Sequence, residues 1–361
     1  MTSFELGQNF TVQVFGQSHA DAIGAVVDGL PAGKRIDLDE VFRFMGRRAP
    51  GKNAFSTARR EADQPEVLSG LIDGVTTGAP VCAVIRNENV RSGDYANVLT
   101  VPRPGHADFP AYVKYGGWND VRGGGAFSGR MTAPLCFAGA LCLQLLRERG
   151  IEVFAHIRSI AGIDDAVPDP CCPDLEALRA VAQKEFPTLS DAAGQRMRSA
   201  IAQAREEGDS VGGVIECVAV GLPVGLGSHM FGGVENRLSA ALFGIPAVKG
   251  VEFGSGFAGC GRRGSENNDP FRLREGRVVT TKNDHGGVLG GMTSGMPLVL
   301  RIGVKPTPSI AKPQQSVDLI AMEETELSIR GRHDPCIVPR AVPVAEAVTA
   351  IVLLDLLYDN N

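Results

Sequence analysis

At 361 residues, 43% hydrophobic and 21% charged, the chain is long enough to bury a sizeable core and has the composition of a soluble globular protein. A net charge of −5 and only 6% aromatic residues argue against a nucleic-acid or general polyanion binder. Eight scattered cysteines with no C-x-x-C pair argue against a structural zinc site and read as reduced thiols, mostly core filler.

Taken in order, the first residues, MTSFELGQNFTVQVFG, lack a basic region followed by an apolar stretch. No secretory signal is therefore expected, and the expected location is the cytoplasm. Short runs rich in β-branched residues predict strands at 10–14, 81–85, 214–220 and 298–304. A helix is expected over 134–149, with proline early in it and Gly150 at its end. It is apolar on nearly every side, so it must be covered all round, as in a central layer. Its apolar run at 133–146 is too short to cross a bilayer and meets Arg147, Glu148 and Arg149, so no membrane is expected. Amphipathic helices are expected at 174–186 and 190–207, the second with Ser190 as N-cap, and another helix at 232–243. The segment 344–357 is again apolar all round.

The 45 glycines and 22 prolines are spread through the chain without marking a linker, so residues 1–361 read as a single domain. GLPAG at 29–33 recurs as GLPVG at 221–225, each after an expected strand. Two similar halves stacked around the apolar helices, or chance repetition of five common residues, account for this equally well.

The chemistry lies in turns. RPGHAD at 103–108, DVRGGGAFSGR at 120–130, FGQSHA at 15–20 and GRHDPC at 331–336 place histidine, arginine and serine in backbone too rich in glycine and proline for regular structure. Arg47, Arg48, Arg103, Arg122, Arg130 and Arg332 lie in or beside such turns, and converging guanidinium forks suit a substrate with several anionic groups. A basic cluster of Arg47, Arg48, Lys52, Arg59 and Arg60 in an acidic protein points to a small anionic ligand. His19 and His106 are the general-acid candidates, and no local histidine pair of metal-binding spacing exists. Asp334 reads either as a turn-former before Pro335 or as a base or ligand orienter. The glycines at 123–129 can cradle phosphate through backbone N–H groups. KPTPSI at 305–310 offers an ammonium and two hydroxyls for a second phosphate.

Together with RRAPG at 47–51, RREADQPEVLSG at 59–70, TTGAP at 76–80 and GRHDPCIVPRAVPV at 331–344, these motifs resemble the chorismate synthase family from about residue 7 to 357. The resemblance implies an α+β fold, a β-α-β sandwich with a central helical layer between two antiparallel sheets, in a homotetramer. It implies 1,4-anti elimination of phosphate from 5-enolpyruvylshikimate 3-phosphate to give chorismate. Reduced FMN is required without net redox change, and NADPH or an external flavin reductase is the source of electrons.

By position, His106 resembles the histidine that protonates the reduced flavin, and His19 the one that assists the departing phosphate. Ser18 and Asp334 resemble the pair assisting proton removal, Asp334 through flavin N5. Arg48, Arg103, Arg130 and Arg332 match positions that grip substrate or flavin anions. Ala126, Phe127, Ser128, Gly286, Lys305, Pro306, Thr307, Pro308 and Ser309 match FMN-contacting segments. The chain departs from the family's commonest pattern at Gln17, Ala20, Ala54 and the Ala126–Phe127 pair. The alternative reading is a flavin- or phosphate-binding module that has lost catalysis; the presence of Ser18, His19, His106 and Asp334 argues against it.

Overall fold

Along Thr11–Gly16, Val12 and Val14 are buried while Gln13 faces water, the period-two pattern of a half-buried strand. The computed structural model describes residues 4–51, 63–88, 100–329 and 334–359. In it this strand, β2, joins β1 (Glu5–Leu6), β3 (Ala22–Asp28), β4 (Glu66–Ser69) and β7 (Val81–Arg86) in an antiparallel sheet ordered β1-β2-β3-β7-β4. A hairpin of β5 (Leu71–Ile72) and β6 (Val75–Thr76) leads into β7. The second antiparallel sheet is made of β8 (Glu152–Ile160), β9 (Ile163–Asp164), β10 (Gly213–Val220), β11 (Val248–Phe253) and β16 (Leu298–Val304), ordered β11-β16-β10-β8-β9. Separate hairpins pair β12 (Phe271–Arg274) with β13 (Arg277–Thr280), β14 (Val288–Leu289) with β15 (Met292–Thr293), and β17 (Gln314–Asp318) with β18 (Glu323–Leu327).

The helices are α1 (Leu38–Arg48), α2 (Asp108–Tyr115), α3 (Thr132–Arg147), α4 (Leu175–Ala182), α5 (Asp191–Glu206), α6 (Val234–Leu242), the single turns α7 (Gly256–Gly259) and α8 (Gly264–Asn267), and α9 (Val338–Tyr358). Local signals start several of them. Asp37 accepts the Glu40 N–H at 3.0 Å, and Ser190 accepts that of Ala193, so both are N-caps. The two apolar helices found in the sequence are α3 and α9. The first rests on β2, β3 and β7, the second on β8 and β10, and they pack on each other. Helix α9 starts six residues before the expected 344, at Val338, because Pro343 lies inside it and costs one backbone donor without ending it.

The two sheets have the same plan. In each half two antiparallel strands are followed by a helix, an edge strand, a hairpin and a further strand, and the half closes on α3 or α9. The register agrees residue by residue: Val27 pairs Val81 in the first sheet, and Ala219 pairs Leu298 in the second. After GLPAG, Thr76 Oγ1 donates to the Pro31 carbonyl and accepts the Lys34 N–H; after GLPVG, Thr293 Oγ1 does the same for Pro223 and Leu226. The recurring pentapeptide marks a structural duplication.

His156, to which the sequence reading gave no role, is fully buried in the second sheet, with Nε2 3.2 Å from Glu216 and Nδ1 3.8 Å from Asp165. Burial alone would lower its pKa, but the two carboxylates outweigh burial and push it up to about 9.

Helices α3 and α9 meet at Gly139, where a Cβ would overlap the Cβ and Cα of Ala347. Gly139→Ala should therefore destabilise the protein, although alanine gains about 1 kcal/mol of helix propensity. Urea unfolding reads the sign, and a raised midpoint would show that the helices can move apart freely.

His156 sets a pH dependence of the opposite sense to a paired carboxylate. Its contribution is complete below about pH 6.5 and is lost as pH rises through the folded value. The urea midpoint should fall between pH 7 and pH 10, and less steeply for His156→Gln. Parallel losses in the two chains would assign the effect to other groups.

Candidate active site

Three turns and two helix starts gather around one cavity of about 560 Å³, two of the turns lining it and the third standing behind them. The first turn joins β2 to β3 and carries Ser18 and His19, both buried. Ser18 Oγ lies 3.0 Å from His19 Nδ1 and donates to the Arg122 carbonyl at 3.0 Å, while its N–H donates to the Gly125 carbonyl at 3.2 Å.

The second turn is the glycine run at 123–125, with φ of 61°, 91° and 52°. L-residues seldom adopt this left-handed region, least of all three in succession. Space imposes glycine as well. A Cβ on Gly123 would overlap the His19 ring and lie 2.7 Å from Ser18 Oγ, and one on Gly124 would lie 3.1 Å from His106 Nε2. The glycine backbone thus passes between the two histidines.

The third turn, RPGHAD, places His106 and Arg103 around Asp108, the first residue of α2. Asp108 Oδ1 lies 2.6 Å from His106 Nδ1 and accepts from Arg103 Nη2 at 2.7 Å, and Oδ2 accepts from Arg103 Nε at 2.7 Å. Burial alone would raise the Asp108 pKa, but these partners outweigh it and hold the carboxyl far below its usual range.

Arg130 lies in the short turn just before α3, which Thr132 opens; Asp334 precedes α9 by four residues, and Arg340 lies in its first turn. The Arg48 side chain, at the end of α1, donates through Nε to Thr132 Oγ1 at 3.0 Å, and its carbonyl accepts from Arg340 Nε at 3.0 Å. Arg340 also donates to Asp334 Oδ2 at 2.5 Å. Between Arg48 and Arg130 lies Asp63, its side chain wholly buried, bonded to one guanidinium through each oxygen. Desolvation raises its pKa, yet the two guanidiniums outweigh that and keep the carboxyl ionised.

Arg48, Arg103, Arg130, His106 and Asp334 all line the cavity, as do Ala126, Phe127, Ser128, Lys305, Thr307, Pro308 and Ser309. Pro306 falls between lining residues without being one, and Ser18 and His19 stand directly behind Gly123. Arg332 lies outside the described residues, with Lys52, Ala54, Arg59, Arg60 and His333. Gly286 does not line this cavity: it sits in the turn before β16, its carbonyl accepting the Val299 N–H, whereas Lys305 follows the other end of that strand. A seven-residue strand is roughly 20 Å long, so within one chain Gly286 does not reach the cavity.

Arg47 and Arg122 do not converge on it either. Arg122 is half-exposed and paired with Asp120. Arg47 faces a larger groove of about 680 Å³, where Arg47, Arg147 and Arg179 are each paired with a glutamate. Their charges are spent within the protein, which makes the smaller cavity the better anion site.

Sequence reasoning missed Asp63, Asp108, Arg340 and Lys249. Asp63 and Asp108 stand inside motifs already singled out, and a carboxylate among arginines and a histidine was the available signal. Lys249 lies with Lys305 in the cavity wall, and burial together with that second ammonium lowers the Lys305 pKa. Thr307 Oγ1 is buried and has no hydrogen-bond partner among the described residues. A pair of ammoniums beside an unsatisfied hydroxyl suits the phosphate of a bound cofactor.

The family model for chorismate synthase matches residues 10–358. A chorismate synthase of Dehalococcoides mccartyi is 49% identical over 354 residues, covering 98% of this chain and 96% of its own length. That of Korarchaeum cryptofilum is 45% identical over 349 residues, covering 97% and 96%. Among solved structures, a crystal structure of chorismate synthase aligns with a TM-score of 0.78 at 28% identity, over 98% of this chain and 93% of that one.

Gly123→Ala should displace His19 and Ser18. A shift of about 1 Å in catalytic groups costs roughly 100-fold, so turnover should fall at least that far while circular dichroism stays unchanged. Normal turnover would mean that the turn has room to spare.

Proposed function

This chain belongs to the chorismate synthase family, and we propose that the arginine-lined cavity is where it performs its reaction. That reaction is the 1,4-anti elimination of phosphate from 5-enolpyruvylshikimate 3-phosphate to give chorismate, a carbon–oxygen lyase step in aromatic amino-acid biosynthesis. The observation that carries the assignment is the convergence of Arg48, Arg130, His106 and Asp334 on one cavity.

Arg48 and Arg130 both bind the carboxylate of Asp63, which fixes the two guanidiniums in the cavity wall for an anionic substrate. Held by fixed partners, these guanidiniums need no rearrangement as charge gathers on departing phosphate. His19, set behind the glycine turn with Ser18 on Nδ1, donates the proton that the phosphate takes with it. His106 moves a proton at Nε2, the ring nitrogen nearest Gly124. Asp334, oriented by Arg340, assists with Ser18 in removing the proton from the substrate carbon.

The cofactor of the family, reduced FMN, supplies electron density to the carbon from which phosphate departs. Lys305, Lys249, Thr307 and Ser309, with the turn at 126–128, would hold it; each lines the cavity, and the orphan hydroxyl of Thr307 supports the fit. The layers built on α3 and α9 agree with the β-α-β sandwich expected of the family, and a homotetramer is the proposed assembly.

The test is an anaerobic assay of the parent chain and His106→Ala with chemically reduced FMN, repeated with oxidised FMN plus NADPH. Chorismate should form with reduced FMN, and His106→Ala should be slower by roughly two to four orders of magnitude. Activity with NADPH would mark a chain that reduces its own flavin; its lack would point to an external reductase. Steady chorismate formation without any flavin would overturn the reading.

A further inference from the structure

Asp108 is not part of the cavity wall, yet two groups in that wall depend on its carboxylate. A carboxylate offers about four lone-pair sites, and all four are engaged here. Oδ1 takes His106 Nδ1 and Arg103 Nη2, and Oδ2 takes Arg103 Nε at 2.7 Å and the Arg103 backbone N–H at 3.0 Å. The Arg103 side chain also reaches Ser309, Nη1 donating to its Oγ at 3.3 Å.

We infer that Asp108 is a positioning residue that keeps His106 protonated at Nδ1 and turns Nε2 toward the cavity, and that Arg103 acts through Asp108 instead of gripping substrate. The ionised carboxylate can only accept, so the ring nitrogen 2.6 Å away must carry a proton. Arg103 Nη2 also approaches Nδ1, at 3.1 Å, but it can only donate and already serves Asp108 at the shorter distance. The short charge-assisted bond decides the tautomer. Geometry leads to the same place: Nε2 is the ring atom nearest the glycine turn. This changes the reading of Arg103, whose position in RPGHAD had suggested a substrate contact. Its guanidinium is buried and supplies the rigid fork that fixes Asp108, and the ring follows.

The inference rests on the role proposed for His106, and the experiment separates the two. The full-length chain, labelled with 15N-histidine and free of flavin and substrate, is compared by two-bond 15N–1H correlation with Asp108→Asn and Arg103→Lys. The parent should show His106 with Nδ1 protonated throughout, and Asp108→Asn should show a mixture in which Nδ1 is partly unprotonated. With reduced FMN, Asp108→Asn should lose roughly two to four orders of magnitude in kcat with little change in KM for substrate, the mark of an interaction needed in the transition state alone. Arg103→Lys keeps the charge but not the fork, and should move kcat in the same direction. An unchanged tautomer in Asp108→Asn would overturn the inference. So would an Arg103→Lys chain whose KM rises while kcat holds, since Arg103 would then touch substrate. If Asp108→Asn fails to fold, Arg103→Lys still decides through both readouts. The tautomer is measured without catalysis, so it stands apart from the role of His106, whose own failure would be full turnover by His106→Ala.

Discussion

The cavity owes its shape to how closely α3 and α9 approach at Gly139 and Ala347. Both helices begin beside Arg48, one bonded to its side chain through Thr132 and the other to its carbonyl through Arg340. The crossing lies about two turns further into each helix, so its closeness fixes the distance between the two starts. Arg130 stands at one start and Asp334 and Arg340 at the other, which makes a helix–helix contact the ruler for the site. Each helix is backed by a sheet, so the ruler cannot bend.

Upon this frame the electrostatics are settled in advance. Arg48, Arg103 and Arg130 are almost entirely buried, and bare guanidiniums could not be kept there. Asp63 and Asp108 make them tenable, and removing one partner of such a pair typically costs about 3–5 kcal/mol. The same carboxylates give direction to what they neutralise. Asp63 aims two forks at once, and Asp108 fixes a fork and a ring together. The site is therefore preorganised by its anions as much as by its cations.

Much of this was legible in the sequence. Local composition gave α3 and the strands β2, β7, β10 and β16 within a few residues, whereas β8, the longest strand, and β11 were not expected. The turns that carry chemistry were legible too, since glycine, proline, histidine and arginine in succession suit little else. Counter-ions were not. Asp63 meets Arg130 across 67 residues of sequence, and nothing local tells a buried bridging carboxylate from a solvated one. Arg47 and Arg48 make the same point, as adjacent residues of one motif point into different cavities. Gly286 makes the complementary point: a motif gives identity and order, whereas distance from the cavity depends on which end of a strand a turn occupies.

The duplication brings two equivalent turns to the same place. GQS at 16–18 braces the glycine run through Ser18, and GDS at 208–210, its counterpart in the other half, braces the KPTPS turn through the bond from Ser210 Oγ to the Thr307 carbonyl at 2.7 Å. The next residue is His19 in the first and Val211 in the second. In an assembly of two identical halves, any side chain at that position would occur twice. A single chain is free of that restriction, so one copy can turn chemical while the other stays mechanical. The cavity thereby gains a direction that a two-fold symmetric site lacks, since such a site would offer the same groups to either end of a substrate.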